Sequence, residues 1–531
     1  MAAVVNSLEN EQALDQHLAE NNVEQTKLYN HPAGLFVLFM TEMWERFSYY
    51  GMRSLLTLFL ISELSKGGWE WDRKDALDLY AWYTGLVYLT PIIGGFIADR
   101  LTGYRKAIVL GGIIMTLGHA SMALEGFNPN FFYVGLVLMI LGNGLFKPNI
   151  SSMVGQLYPA ISDKKDSAYA IFYMGINSGA FLGMLMCGYI GEKVGWHWGF
   201  GLAGIFMFFG SLQFYFAQRI FGKLGFKAEK KAKEVKETTS SANEIQDKKV
   251  VTQRLYVIGV FSVLTIFFWM VFEQAGGSMT IFAKDYTLRN LTGNSATIFK
   301  YVDAALTIFP LLAVSVVLFA LAKKIMKKYP LSILLTTLSI LIIWGLAIWK
   351  LNKEFSAEGT EVPASWFGIL NSFFIVSLAP FASKIWETKF NPSGPVKFGM
   401  GLIFVGLGFA GLAYGGRDIA AGATVAQVSM FWLIFAYFFH TVGELCISPV
   451  GLSYVSKLAP AKLVGLMFGV WFTCSAIGNW LAGTSGGLID QISNEYSISV
   501  FFLIFTILPI VVGLFAFAIS PILRKWMHGV H

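Results

Sequence analysis

About fourteen stretches of this chain are apolar for long enough to cross a bilayer as helix. They lie at roughly 33–62, 77–99, 105–125, 131–157, 167–191, 197–220, 254–283, 299–322, 331–351, 364–386, 396–415, 425–456, 464–489 and 497–523. The hydrocarbon core of a bilayer is about 30 Å thick and takes about 20 residues of helix to span. Backbone inside it has no water to bond, so only helices and closed barrels are admissible. Barrel strands read as short segments of alternating polarity, which these long continuous runs contradict. The expected fold class is an all-α membrane protein with about 14 spans. Composition agrees, because 55% of the 531 residues are hydrophobic and 14% charged, against about 25% charged in a soluble domain.

Lys and Arg placement gives an orientation, since cytoplasmic loops carry an excess of both. With the N-terminus inside, the cytoplasmic connections hold Arg100, Arg105 and Lys106, then Lys164 and Lys165, the 223–254 cluster, and Lys323, Lys324, Lys327 and Lys328. Later ones hold Lys384, Lys389 and Lys397, then Lys457 and Lys462, and finally Arg524 and Lys525. The opposite connections, such as "NKEFSAEGTEV" at 352–362 and "DQISNEYS" at 490–497, are poor in positive charge. An even number of spans, both termini cytoplasmic and residence in the cell (plasma or inner) membrane are the expectations.

The net charge of +7 does not point to nucleic acid. Its densest cluster, from Lys223 to Arg254, is interleaved with Glu229, Glu234, Glu237, Glu244 and Asp247, and reads as a solvated loop. Cys187, Cys446 and Cys474 fall in apolar runs without metal-ligand spacing. They are read as small packing residues, and no metal site is expected. Residues 1–30 are polar and lack the basic start and short apolar core of a signal peptide. They are read as a disordered cytoplasmic tail.

The basic segment 223–253 leaves six runs before it and eight after. The expected domains are an N-terminal six-helix bundle over 31–222, a linker over 223–253, and a C-terminal bundle over 254–531 with two inserted helices at about 299–351. "GGFIADRLTGYRKA" (94–107), through Asp99, Arg100, Gly103, Arg105 and Lys106, resembles a cytoplasmic motif of the major facilitator superfamily. That resemblance implies two six-helix bundles around a central cavity, with the two extra helices peripheral. Asp303, in the first extra helix, is read as either a structural residue or an interfacial one.

The first run contains an anomaly. "TEMWERFSYYGMRSLL" (41–56) places Glu42, Glu45, Arg46 and Arg53 inside a membrane helix. A charged residue at a helix centre costs roughly 2.5–3.5 kcal/mol on insertion scales, so four unpaired ones cost on the order of 10 kcal/mol. Glu42, Glu45, Arg46, Tyr49, Tyr50 and Arg53 recur at i, i+3, i+4, i+7, i+8 and i+11, which puts all six on one helix face, two acids beside two bases. Intramembrane ionisable groups usually line substrate or proton paths.

Glu42-x-x-Glu45-Arg46-Phe47-x-Tyr49-Tyr50-Gly51 resembles the ExxERFxYYG signature of the proton-dependent oligopeptide transporters. "GNGLFKPNIS" (142–151) resembles that family's fourth span and implies Lys147 as its membrane lysine. "FYMGINSGAFLG" (172–183) resembles its FYxxINxG signature and implies Asn177. "FFWMVFEQ" (267–274), "GELCISPVGLS" (443–453) and "GVWFTCSAIGN" (469–479) resemble spans seven, ten and eleven. They imply Trp269 and Glu273, Glu444 and Ser448, and Trp471, Phe472 and Ser475. The resemblance runs from residue 32 to 523. It departs at Asn371-Ser372, where the family has Asn-Pro, and in "YAWYTGLVYLTP" (80–91), which carries Tyr88 but no histidine.

The resemblance implies a proton-coupled symporter of di- and tripeptides working by alternating access. A dipeptide zwitterion offers a carboxylate, an ammonium and an amide. Arg53 and Lys147 suit the carboxylate, Glu444 the ammonium, and Asn177 and Asn371 either the ammonium or the amide. Tyr49, Tyr50, Tyr88, Ser448 and Ser475 supply hydroxyls, and Trp269, Trp471 and Phe472 apolar walls. Glu42, Glu45 and Arg46 form one candidate proton-handling group and Lys147 with Glu273 another, with protons the coupling ion and no other cofactor. His440, one turn before Glu444, is read as packing. Alternatives are a same-family carrier of another small anion or zwitterion, such as nitrate, and a proton-coupled drug antiporter. No HExxH helix, Walker loop or sizeable soluble catalytic domain is present, so no enzyme is expected. The expected partners are small peptides and the lipid bilayer, and a monomer suffices.

Overall fold

The structure is a computed structural model and describes residues 2–159, 162, 164–227, 248–388, 391–460 and 463–530. Each of the fourteen apolar runs forms a long helix. In chain order after an N-terminal helix α1 (Ala2–Glu20), these are α2 (Ala33–Ile61), α3 (Arg73–Ile97), α4 (Tyr104–Met122), α5 (Asn130–Gln156), α6 (Lys164–Lys193) and α7 (Trp196–Ala217). There follow α8 (Lys248–Phe272), α9 (Gly293–Ile325), α10 (Pro330–Ser356), α11 (Ile369–Trp386), α12 (Gly394–Gly415), α13 (Phe431–Leu458), α14 (Val464–Gly486) and α15 (Ile498–Trp526). Twelve of the helices among the described residues are long and apolar enough to cross a membrane. The protein is therefore a multi-pass membrane protein. The other two in the series are α2, diluted by its ionisable stripe, and α4.

Local chemistry sets the boundaries. α10 and α12 open with proline in the first turn, where a missing N–H costs nothing. α15 opens on Ser497, whose Oγ accepts from the Val500 amide at 3.2 Å. The turn from α3 into α4 passes through Gly103 at φ 75°, a left-handed position that favours glycine. Arg105 beyond it donates to the Gly222 carbonyl at 2.6 Å and lies over the Phe226 ring at 4.3 Å.

The chain forms two compact units. Unit 1 comprises residues 1–55, 90–228 and 290–362, and unit 2 comprises 56–89, 229–289 and 363–531. The α9–α10 hairpin lies in the C-terminal half of the sequence but groups with unit 1. α2 and α3 each change unit part-way, α3 beside its internal Pro91. The basic linker reading falls largely on 228–247, outside the described residues.

One expectation is corrected. The N-terminal segment is not a disordered tail. It carries α1, with Leu14 and Leu18 fully buried, His17 Nε2 bonded to the Gln156 carbonyl at 2.9 Å, and Lys27 paired with Asp15 at 2.6 Å. Its polar composition hid a short apolar stripe and charges that pair on docking. Asp303 fits the structural one of its two readings. It is 3% exposed and paired with Lys350 of α10 at 2.7 Å. A partner on the next helix offsets the cost of burying its charge.

Candidate functional site

Residues singled out in the sequence gather in two places, one in each unit. In unit 1 the α2 stripe is buried rather than lipid-facing, with Glu45 fully buried and Arg46 2% exposed. Packing on α6 explains this. Gly175, Gly179 and Gly183 recur every fourth residue and lie against Phe39, Met43 and Phe47 of α2. A methyl on Gly179 would fall on the Met43 carbonyl oxygen. Small residues at this spacing let membrane helices approach closely.

On that seat the charges pair. Arg46 Nε lies 2.9 Å from Glu42 Oε1 and also pairs with Glu45. Asn143 of α5 donates to Glu45 Oε1 at 3.0 Å. Lys147, one turn further along α5, interacts electrostatically with Glu42, Glu45, Arg46 and Arg53. Arg46 stands 5.5 Å over the Tyr49 ring and Arg53 5.9 Å over that of Tyr50, while the two tyrosines meet edge to face at 5.0 Å. Asn177 is buried on α6 and donates to the Tyr173 carbonyl of its own helix at 3.0 Å. Within this group three bases face two acids, an environment that suits an anion.

In unit 2, Asn371 Nδ2 donates to Glu444 Oε2 at 2.9 Å and to Thr441 Oγ1 at 3.2 Å, joining α11 to α13. α11 starts at Ile369 after the turn Ala364–Gly368, so the asparagine sits in its first helical turn. Ser448 lies one turn beyond Glu444 on α13. Tyr88 and Trp269 bring their rings to 6.3 Å. Trp471 is buried against Gly451 and Phe398, and Ser475 Oγ donates to its carbonyl at 3.1 Å. Phe472 beside it is 37% exposed. Glu273 is buried at the start of the tight turn Glu273–Gly276 that ends α8. His440 packs between Phe409 and Phe272 and against Gly408.

One cluster escaped the sequence reading. Arg73, at the start of α3, bonds Asp285 at 2.7 Å and Asp490 at 2.6 Å, with the Tyr286 hydroxyl at 3.4 Å. Both aspartates lie just past the ends of apolar runs, a signal available in the sequence. Nearby, Thr57 Oγ1 donates to the Gly276 carbonyl at 2.8 Å.

Comparison with known families decides the identity: the POT family (PTR2) matches residues 105–242 and 337–504. The chain belongs to the POT family. Among its POT-like relatives is the peptide transporter YePEPT of Yersinia enterocolitica subsp. palearctica, 33% identical over 87% of this chain and 89% of that one. A di-/tripeptide transporter of Lactococcus lactis subsp. cremoris is 31% identical over 96% of this chain and 99% of its own. A solved peptide transporter in complex with sulfate superposes with a TM-score of 0.74 at 28% identity, over 97% of this chain and 99% of that one.

Proposed function

We propose that this POT-family protein is a proton-coupled symporter that imports di- and tripeptides by alternating access, from the cell membrane with both termini in the cytoplasm. The observation that carries this reading is the buried Glu42–Arg46–Glu45 group, joined by Lys147, in a helix of a membrane protein. Structural ion pairs alone give poor reason to bury so many charges, because desolvation offsets much of their attraction. A carboxylate whose protonation breaks such a pair supplies a coupling device.

In this reading Arg53 and Lys147 take the peptide carboxylate, and Glu444, held by Asn371, takes the ammonium. Tyr49, Tyr50, Tyr88, Asn177, Ser448 and Ser475 offer hydrogen bonds, and Trp269, Trp471 and Phe472 tolerate varied side chains. Protonation acts at Glu42 or Glu45 beside Arg46, or at Glu273. It shifts the balance between two states that the substrate also biases. Relatives that are named peptide transporters support the substrate class. Glu444 also favours peptides over nitrate, which has no ammonium to bind.

The test is uptake of labelled dialanine into proteoliposomes under an inward proton gradient, with excess free alanine as competitor. Accumulation that excess free alanine leaves intact is expected. Absence of uptake, or equal inhibition by free alanine, refutes the reading.

A further inference from the structure

Unit 2 holds an apolar groove whose lining includes none of the candidate site residues above. Residues of α11, α12 and α13 line it. It encloses about 610 Å³ and is lined by Phe381, Ile385, Trp386, Phe404, Phe438 and Val442, among others. That volume is ample for a ligand site, since such cavities run about 300–1,000 Å³. The lining is nearly all apolar, which a water-filled peptide path would not be. Phe381 and Ile385 are 66% and 49% exposed, and in a helix of membrane-spanning length such a rim meets acyl chains.

Charge at one end says what kind of lipid fits. α12 runs antiparallel to α13: Gly415 meets Trp432 at one end and Gly394 meets Tyr454 at the other. The start of α12 therefore lies beside the end of α13, and the end of α11 joins them through the lining residues Trp386, Asn391 and Pro392. Each of these three helix ends carries a lysine: Lys384 on α11, Lys397 on α12 and Lys457 on α13. Lys397 Nζ stands 4.5 Å over the Trp386 ring, and Trp386 lines the groove. The described acid at this end of α11 is Glu387, so the balance is cationic. Apolar walls capped by lysines match one chain and one phosphate of the same molecule.

We propose that this groove binds an acyl chain of an anionic phospholipid whose phosphate docks on Lys397. The probe is phosphatidylglycerol, titrated onto the full-length protein in detergent and read by native mass spectrometry, with phosphatidylcholine and sn-glycerol 3-phosphate as comparisons. A lysine near a membrane surface contributes enough that Lys397→Gln should weaken phosphatidylglycerol binding about fivefold. The same substitution should leave phosphatidylcholine unchanged, because it keeps the groove. Ala382→Trp fills the groove and should weaken both lipids. Phe404→Trp narrows the same groove from α12 and serves if Ala382→Trp does not fold. Glycerol phosphate, lacking chains, should not compete.

Phosphatidylglycerol affinity kept within about twofold in Lys397→Gln or in a folded groove-filling variant overturns the site. So does an equal loss for phosphatidylcholine in Lys397→Gln, or displacement by glycerol phosphate.

Discussion

Glu45 and Glu273 are both buried carboxylates in or beside membrane helices, and one measurement tests each of them as a proton carrier. Glu45 shares Arg46 with Glu42 and accepts from Asn143, so removing its charge leaves the arginine a single carboxylate partner. Glu45→Gln is expected to abolish proton-driven accumulation of dialanine in proteoliposomes while preserving peptide exchange at equal pH, because exchange needs no net proton movement. Loss of both activities would place Glu45 in folding or peptide binding instead. Glu273→Gln is expected to show the same split. Accumulation driven by a pH gradient that survives in Glu273→Gln removes that residue from coupling. The stripe that carries Glu45 was legible because its six polar residues obey helical spacing. What seats it was less so. The glycines of α6 were visible as a motif, but that Gly179 meets the Met43 carbonyl depends on how two helices cross, which no single-helix pattern encodes.

Among the elements, the α9–α10 hairpin illustrates what hydropathy hides. Both helices were readable as spans, whereas the Asp303–Lys350 pair between them was not, because partners 47 positions apart leave no local trace. Lys350 also reaches Thr307 at 3.4 Å, and Tyr189 of α6 donates to Glu354 at 2.6 Å, which binds the hairpin within unit 1. Breaking a buried pair leaves one charge stranded at about 3–5 kcal/mol, while replacing both partners with apolar groups is often neutral. Asp303→Asn and Lys350→Met should each lower the melting temperature in detergent, and the double variant Asp303→Leu/Lys350→Met should recover most of it. Additive losses in the double variant would contradict the pairing.

The N-terminal strap makes a pH-dependent case. Burial pushes the Glu24 carboxyl up, but hydrogen bonds from Lys328 at 2.8 Å and from Thr26 outweigh it and hold it below the ordinary 4.5. Its ionised form therefore adds stability to the docked strap above about pH 4.5, and that contribution fades as pH falls through the lowered value. At pH 7, Lys328→Ala should make the segment around residues 21–30 more readily cleaved by added protease than in the parent chain. At a pH below the folded value of Glu24 the two should converge, tested with an acid-active protease. Equal cleavage at pH 7 would show that the strap is held without help from the Glu24–Lys328 pair.

For the whole molecule, the division into two units differs from the cut at 223–253 that the basic linker marks in the sequence. Residues 56–89 belong with unit 2 although they precede the linker, and 290–362 belong with unit 1 although they follow it. Such exchange reflects contacts made only after the helices assemble, and it gives the Arg73 cluster its importance. Arg73 ties the start of α3 to Asp285 beyond α8 and Asp490 beyond α14, and Thr57 at the end of α2 adds a bond to Gly276. In a transporter that alternates between two packings, bonds that join helices from both halves of the sequence stabilise one packing over the other. A hydrogen bond to a charged group contributes about 1.5–3 kcal/mol, so losing one favours opening about tenfold or more. In a background with the native cysteines replaced, a cysteine at Thr57 should therefore react with membrane-impermeant maleimide at least about tenfold faster when Arg73 is changed to Gln. Asp285→Asn should act in the same direction, and Lys74→Gln, whose partner is the exposed Asp78 one turn along α3, should not. Unchanged labelling in Arg73→Gln would reduce the cluster to a surface ion pair without influence on which state the protein occupies.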